Sequence, residues 1–371
     1  MTTLAAVHPV VPPHRYRQAD ITEAFLRACR VPEASVRVMR RMHGNSMVGH
    51  RNLALPLERY EDLGGFTAAN DLFLECAVEL GAQAVEGALR RAGIRADEVD
   101  AILSTTVTGI AVPSLDARIA GRIGLRPDVV RIPLFGLGCV AGVAGIARMG
   151  DYLAAHPDQV AVLLSVELCS LTLQRDDPST ANLVASGLFG DGAAAVVALG
   201  SERAGRAGQL GGDGSGSDIE QGAGGGKGPR VLAARSHLYP DTLRTMGWDA
   251  GSDGLRIVLG AEVPDLVRRY LGGDVRGFLA DHGLAPDAVR VWVTHPGGPK
   301  VIDAMQSELR LGPDALELTR RSLAAVGNLS SSSVLHVLAD TVDLHPPAGD
   351  GIGVMIAMGP GFCSELVLLQ W

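Results

Sequence analysis

One cysteine, Cys139, lies in the stretch LFGLGCVAGVAGIARMGDYL, where small residues precede the periodic apolar positions of a helix. The first N–H groups of a helix have no partner within the helix and carry its positive dipole end, so they favour a thiolate over a thiol. Cysteines at such positions have pKa values of roughly 3.5 to 7.5. The stretch therefore predicts a nucleophilic cysteine with a lowered pKa, although a cysteine among small residues is also typical of a packed core thiol.

A histidine and an asparagine provide matching polar groups in the second half of the chain. His295 follows an apolar run in VWVTHPGGPK, and Asn328 precedes a helical pattern in VGNLSSSSVLHVLADTV. An imidazole can pair with a thiolate, and together with an amide it can donate hydrogen bonds to an oxygen that gains negative charge. With Cys139 these residues predict an oxyanion site. Taken separately, His295 also fits a loop residue satisfied by backbone, and Asn328 a helix cap.

The elements that must position these residues repeat along the chain. GIRADEVDAILSTT, from Gly93, and GLAPDAVRVWVTHP, from Gly283, share a pattern at an offset of 190 residues, and Cys139 and Asn328 are 189 residues apart. In both passages a helix, predicted from Asn70 in the first copy, ends at the glycine and a buried strand follows. Strand ends and helix starts meet at one edge of a doubly wound unit. A duplicated α/β unit would therefore bring the three residues together.

Composition and charge limit the classes of function. The chain of 371 residues is 47% hydrophobic but only 4% aromatic, and its formal charge of -8 argues against a nucleic-acid partner. Five widely spaced cysteines without a C-x-x-C pair indicate neither a disulfide framework nor a metal site, and they favour the reducing cytoplasm. No signal-peptide pattern and no apolar run of about 18 residues is present, so no membrane span is expected.

We divide the chain into three parts. Residues 1–200 form the half that carries the nucleophilic cysteine, and residues 230–371 form the half that carries the histidine and asparagine. Residues 201–229 are predicted to be a glycine-rich flexible insertion, because they contain almost no large apolar side chains. Its glycines are not followed by the Gly-Lys-Ser/Thr of a phosphate loop.

Taken together, the motifs resemble the type III polyketide synthases, the chalcone-synthase-like branch of the thiolase superfamily. The resemblance covers nearly the whole chain outside the insertion. It is carried by GLGCVAGVAGI, GLFGDGAAAVV, HPGGPKVID, GNLSSSSVL and MGPGFCSEL. It implies an α/β thiolase fold with two pseudo-symmetric αβαβα halves in five layers, and a homodimer.

The resemblance also implies a role for each candidate residue. Cys139 would carry the acyl chain, while His295 and Asn328 would bind the thioester carbonyl as malonyl-CoA loses carbon dioxide. Acyl-CoA and malonyl-CoA would be the substrates, with no further cofactor and no metal.

Other positions match the family's binding residues. The two gatekeeper positions fall on Phe189 and Ile257, and the second departs from the phenylalanine of plant members. The positions that line the family's cavity fall on Thr108, Cys169, Thr172 and Ser330. The predicted CoA-binding residues are Arg41, Arg40 and Arg37, while another basic position of the family falls on Asn45. The residue that crosses the dimer interface falls on Val112.

The segments PPHRYRQADITEAF and VTGIAVPSLDARIAGRIGLRPDV resemble the sequences of bacterial members that make alkylpyrones or alkylresorcinols. This implies a fatty acyl-CoA starter, extended with malonyl-CoA or methylmalonyl-CoA by decarboxylative Claisen condensation and then cyclised. Three alternatives stay open. They are a ketoacyl carrier-protein synthase of the same fold, whose usual HQAN is absent, a Cys-His-Asn hydrolase, and a binding protein without catalysis.

Overall fold

The computed structural model describes residues 1–29, 31–210 and 228–371. The strands are β1 (Thr2–Val10), β2 (His14–Arg17), β3 (His50–Leu53), β4 (Ala101–Thr105), β5 (Val130–Leu134), β6 (Val160–Leu168), β7 (Asp191–Leu199), β8 (Arg230–Leu238), β9 (Met246–Gly251), β10 (Gly254–Leu259), β11 (Val289–Thr294), β12 (Ile352–Gly359) and β13 (Cys363–Gln370). The α-helices are α1 (Gln18–Ala28), α2 (Glu33–Gly44), α3 (Phe66–Ala92), α4 (Leu115–Ile123), α5 (Ala141–Ala155), α6 (Thr180–Leu188), α7 (Ser201–Leu210), α8 (Val263–Leu266), α9 (Gly272–Asp281), α10 (Pro299–Glu308), α11 (Glu317–Val326) and α12 (Ser333–Leu344).

Nine strands of the described residues form a sheet in the order β11-β12-β13-β8-β1-β7-β6-β4-β5. In the first half β6, β4 and β5 are parallel, and β7 is antiparallel to β6 and β1. In the second half β11 and β12 are parallel, and β13 is antiparallel to β12 and β8. Within this sheet, the described strands of the two halves pair where Thr2 and Thr3 of β1 meet Val231 and Arg230 of β8. The two half-sheets therefore follow one pattern, which confirms the predicted pseudo-symmetric halves.

Helices separate and cover the half-sheets. Between them, α5 and α12 contact each other and strands of both halves, and their apolar side chains share one buried cluster. On the outside, α3 packs against β1, β6 and β7, while α9 and α10 share a third cluster with β12 and β13. β6 and β7 are buried along their whole length, as continuous apolar strands covered on both faces must be. The five alternating layers are those that the resemblance implies.

The local predictions hold with two differences. The helix predicted from Asn70 begins earlier, at Phe66, and it ends at Gly93 in the left-handed conformation, with φ 66°. Ser201–Leu210, at the start of the predicted insertion, forms α7, because SERAGRAGQL is rich in good helix formers. Residues 211–227, the rest of the predicted insertion apart from its end, lie outside the described residues.

No described helix combines the length and the apolar character that a membrane span requires.

The contact between α5 and α12 gives a first prediction. A Cβ on Gly142 would lie 2.3 Å from the carbonyl oxygen of Ser331 and 2.6 Å from Cγ1 of Val334, so Gly142→Ala forces the central helices apart. We expect the free energy of unfolding to fall by about 1–3 kcal/mol, measured by urea unfolding followed by circular dichroism. The control is Gly150→Ala in the same helix, whose Cβ would meet only Val231 at 3.5 Å. Equal unfolding midpoints for the two variants would contradict this account.

Candidate active site

Cys139 lies on a tight turn that leads directly into α5. The turn spans Gly138–Val140, and the chain enters it through Gly136 with φ 85° and Gly138 with φ 53°. Both angles lie in the left-handed region, which glycine adopts without steric cost. A Cβ on Gly138 would also lie 2.6 Å from the ring of Pro360. The glycines around the cysteine are therefore required by the left-handed backbone conformation of the turn and by its close contact with Pro360.

His295 comes directly after β11 and is almost fully buried, with 3% of its surface exposed. Its backbone is fixed, because its N–H donates to the carbonyl of Ile356 (2.9 Å) and its carbonyl accepts from Gly297 N–H (2.9 Å). The buried Nδ1 atom has no partner among the described residues. Burial lowers the pKa of His295 to about 4, so the imidazole is neutral at neutral pH and able to accept a proton.

Asn328 is held by a backbone bridge to the gatekeeper position. Its N–H donates to the carbonyl of Leu188 (2.9 Å), and its carbonyl accepts from Gly190 N–H (2.9 Å), which pairs it with Phe189. Its Oδ1 accepts from the backbone N–H of Ser330 at 2.8 Å. No acceptor for its Nδ2 lies among the described residues, so this amide nitrogen keeps its hydrogens for a ligand.

The three candidate catalytic residues line one cavity of about 500 Å³. Cys139, His295 and Asn328 come from segments far apart in the chain, and the duplicated fold brings them together at one end of the central helix layer. A thiol, a neutral imidazole and an amide donor in one cavity are suited to acyl transfer through a charged oxygen intermediate. No group of three or more potential metal ligands occurs among the described residues.

The thiol of Cys139 is not an activated thiolate in this structure. Burial raises its pKa to about 12, against a smaller lowering by the Ser330 hydroxyl, which lies 3.6 Å from Sγ, and the nearby Glu167 carboxyl adds to the increase. The predicted lowering is therefore wrong, because desolvation disfavours the charged form and the thiol contacts a hydroxyl rather than an imidazolium. Thiol and imidazole are both neutral until a proton passes between them.

A boundary of three side chains separates this cavity from a second one. Phe189, Trp248 and Ile257 line both the large cavity and a cavity of about 30 Å³. The structure thus places Phe189 and Ile257, the predicted gatekeepers, at a constriction. The sequence pattern did not indicate Trp248, since only the register of β9 against β10, which pairs it with Ile257, brings it there.

The predicted cavity-lining residues do not share one cavity. Ser330 lines the large cavity, and Cys169 and Thr172 line the second. Thr108 lines neither: with Thr172 it lines a third cavity, also of about 30 Å³. Its hydroxyl donates to Glu167 (3.0 Å) and accepts from Leu168 N–H (2.9 Å), which fixes it in the wall.

Of the predicted CoA-binding arginines only Arg41 lines the large cavity, together with Asn45. Arg40 instead forms a two-bond ion pair with Glu23, with both distances 2.8 Å, and Arg37 is not among the lining residues. Lys300, which was not among the predicted residues, also lines the cavity from the first turn of α10. Its signal was present: Lys300 lies five residues after His295, at a helix start.

Val112, predicted to cross a dimer interface, lies between β4 and α4 with 92% of its surface exposed. Ile110 beside it is also exposed. An apolar tip of this kind marks a surface suited to contact with another protein.

Comparison with known proteins places the chain in a family. The model of the chalcone and stilbene synthase N-terminal domain matches residues 1–202, and that of the C-terminal domain matches residues 230–371. The 1,3,6,8-tetrahydroxynaphthalene synthase of Streptomyces peucetius subsp. caesius is 53% identical over 370 residues, covering 100% of this chain and 93% of the relative. A putative chalcone synthase of Bacillus subtilis is 32% identical, covering 88% and 87%. The crystal structure of the 1,3,6,8-tetrahydroxynaphthalene synthase of Streptomyces coelicolor A3(2) superposes with a TM-score of 0.88 at 27% identity, covering 100% and 99%.

The hydroxyl beside Sγ gives a second prediction. Ser330→Ala removes the hydrogen bond that lowers the pKa of Cys139, so alkylation of Cys139 by iodoacetamide should need a higher pH than in the unsubstituted protein. Ser330 has φ 49°, so Ser330→Gly removes the same hydroxyl without left-handed strain and should shift the profile in the same direction. Peptide mass spectrometry follows each cysteine, with Cys29 as the internal reference. A pH profile of Cys139 that neither variant moves would refute this role.

Proposed function

Because the chain belongs to the chalcone and stilbene synthase family, the type III polyketide synthases, we propose that it condenses malonyl-CoA into 1,3,6,8-tetrahydroxynaphthalene. Membership makes the chain an acyltransferase with the thiolase fold, and enzymes of this family use CoA thioesters. The product assignment rests on one observation, the 53% identity over 370 residues with a synthase of that product.

The proposed reaction balances with malonyl-CoA as the sole substrate. The ten carbons of the naphthalene are five two-carbon units, so five malonyl-CoA release five carbon dioxide and five CoA. One carbon–carbon ring closure expels the last CoA, the other expels one water, and enolisation gives the four hydroxyl groups. No redox cofactor is needed, since no step changes the total oxidation state.

Loading starts from a neutral thiol and a neutral imidazole that line the same cavity. We propose that His295 accepts the proton of the Cys139 thiol. Sγ of Cys139 then attacks the thioester carbonyl of malonyl-CoA. The bond between that carbon and the CoA sulfur breaks, and the departing thiolate takes the proton from His295. The thiolate and the imidazolium form together, so neither charge has to be buried without its counter-charge.

Extension uses the same donors on a second malonyl-CoA. Its thioester oxygen would accept hydrogen bonds from His295 and from Nδ2 of Asn328, so that loss of carbon dioxide leaves an enolate with a stabilised oxygen. The enolate carbon attacks the thioester carbonyl on Cys139, and the bond from that carbon to Sγ breaks, which frees Cys139 and leaves the lengthened chain on the CoA of the extender. Before the next extension, Sγ of Cys139 attacks that thioester as in loading, and the chain returns to Cys139 with release of this CoA. One such donor is typically worth about 2.7–4 kcal/mol in the transition state.

Cavity size favours a short starter over the fatty acyl-CoA and alkylpyrone that the sequence resemblance implies. The second and third cavities, beyond the boundary at Phe189, measure about 30 Å³ each. A volume of this kind holds one or two water molecules. A long alkyl chain would find no space there unless side chains moved. The family match also gives no support to the ketoacyl carrier-protein synthase, the hydrolase or the non-catalytic binding protein.

The product test needs only the purified protein and malonyl-CoA. We expect chromatography with mass spectrometry to detect tetrahydroxynaphthalene and five CoA for each product molecule. A matched sample adds an equal concentration of octanoyl-CoA and should give the same main product. Alkylpyrones as the dominant product of the mixture would overturn the proposal and restore the fatty acyl alternative.

Two variants separate the steps. Cys139→Ala should form no naphthalene yet still release carbon dioxide from malonyl-CoA, because the donors to the enolate oxygen remain. Asn328→Ala should slow that release by about 100- to 1000-fold. Equal carbon dioxide release by Asn328→Ala and the unsubstituted protein would remove Asn328 from the proposed oxyanion site.

We also propose a homodimer built around Val112. β5 is an edge strand of the sheet, and the exposed apolar tip at Ile110 and Val112 lies on the loop that follows its neighbour β4. Val112→Glu should shift the sedimentation of the protein from dimer towards monomer at equal concentration. Leu243→Glu is the control, because Leu243 is also exposed, at 79%, but lies far along the chain between β8 and β9. A dimer unaffected by Val112→Glu would disprove this interface.

For the compartment we propose the cytoplasm. All five cysteines are free, and a reducing compartment keeps them so.

A further inference from the structure

A single arginine side chain is buried beside the second cavity without a complete set of partners. Arg51 is 1% exposed and lines that cavity. Its Nε donates to Oε1 of Gln18 at 3.0 Å, and its Nη1 donates to the carbonyl of Phe189 at 2.7 Å. Its buried Nη2 has no hydrogen-bond partner among the described residues. Two thirds of the guanidinium is thus fixed while one nitrogen remains free.

The charge of this side chain has no ion-pair partner within 4 Å among the described residues. Among charged neighbours, Asp191 raises the pKa of Arg51 most. Its carboxylate does not pair with Arg51, however, since its oxygens accept from Ser170 N–H (2.8 Å) and Ala54 N–H (2.7 Å). Burial lowers the pKa of Arg51 to about 10, which leaves it charged at neutral pH. A buried cation is costly without a counter-charge, so a cation of this kind indicates a site for an anionic ligand.

The position of Arg51 connects it with the reaction site. Its Nη1 holds the carbonyl of Phe189, the residue that lines both cavities and pairs with Asn328. Its stem passes so close to Gly327 that a Cβ there would lie 3.2 Å from Cγ of Arg51. Arg51 therefore lies under the turn that presents Asn328, on the far side of the boundary from Cys139.

We propose that Arg51 binds the terminal carboxylate of a polyketide that begins with an intact malonyl group on Cys139, and so selects malonyl over uncharged starters. This inference rests on the proposed function and names how its starter is recognised. Loading breaks only the carbon–sulfur bond of malonyl-CoA, so the starter keeps its carboxylate. Each extension inserts two carbons next to Cys139, so the growing chain fills the large cavity and its terminal carboxylate moves away from Cys139 towards Arg51 at the boundary beside Phe189.

The carboxylate becomes the fifth carbon dioxide of the overall balance. Four are lost from the extender units as they condense, and the starter carboxylate, a β-keto acid once the chain has grown, is lost after the chain leaves Arg51. An alkyl starter would instead leave the guanidinium buried and unpaired, which is how a polar site rejects an apolar analogue.

The first test uses the unsubstituted protein. After rapid acid quenching of turnover with malonyl-CoA, intact-protein mass spectrometry should find chains on Cys139 that are heavier by one carbon dioxide than acetyl-primed chains of the same length. Chains that all begin with acetyl would overturn the inference. The proposed function would survive that result if naphthalene were still formed.

The second test compares starters in variants. In Arg51→Met the rate of naphthalene formation from malonyl-CoA should fall by about 10- to 100-fold, the usual cost of a lost hydrogen bond to a charged group. The rate at which butyryl-CoA is extended to a pyrone should fall less, because only the hydrogen bond from Arg51 to Phe189 is lost there, so the ratio of the malonyl rate to the butyryl rate should fall at least fivefold. Arg51→Lys, which keeps the charge without the second donor arm, should lie between the two, and Arg40→Met serves as the surface control.

A structural role predicts a different pattern. If Arg51→Met and Arg51→Lys lost both starters equally, Arg51 would act only by holding Phe189, and the inference would fail. Thermal unfolding of each variant shows whether the variant is folded. If Arg51→Met does not fold, Arg51→Lys and the mass measurement on the unsubstituted protein decide between the two roles. Absence of naphthalene from the unsubstituted protein would instead count against the proposed function.

Discussion

The backbone bridge between Phe189 and Asn328 is the constraint on which the site depends. Phe189 ends the helix that follows β6 in the first half, and Asn328 opens the turn before α12 in the second. Two backbone hydrogen bonds of 2.9 Å therefore fix, in one place, the amide proposed to bind the thioester oxygen and the ring that lies between the two cavities. Because both residues move as one unit, the boundary and the oxyanion donor cannot be adjusted independently.

Desolvation is the second constraint, and it acts on all three charged or chargeable groups in different ways. It keeps the thiol of Cys139 and the imidazole of His295 neutral, because burial disfavours the charged form of each group. Arg51 remains charged under the same burial because its intrinsic pKa is so high. The resting site thus stores no ion pair, and one fixed cation lies behind it. Charge appears at the reacting atoms only when substrate supplies the electrophile.

Much of this arrangement was predictable from the sequence, for a physical reason. The repeat at an offset of 190 residues implied equivalent strand ends and helix starts, and the structure brings Cys139, His295 and Asn328 to one cavity. Trp248 and Arg51 were not predictable in this way, because their positions depend on the register of a hairpin and on how β3 packs against α1 and the end of α6. The direction of the Cys139 pKa shift was not predicted for a related reason. The helix start beside Cys139 can be recognised from neighbouring residues, whereas the burial of its thiol depends on the whole fold. The helix over Ser201–Leu210 was not predicted either, because the glycines of the whole segment outweighed the helix formers at its start.

The narrow junction between the half-sheets has a consequence for how the molecule unfolds. Since β1 and β8 share only two residue pairs, strand pairing transmits almost nothing from one half to the other. Cooperativity then depends mainly on the side chains packed around α5 and α12, together with the backbone bridge between Phe189 and Asn328. Loosening that interior layer would uncouple the halves into two melting units, and it would separate Cys139 from His295 before either half lost its own strands.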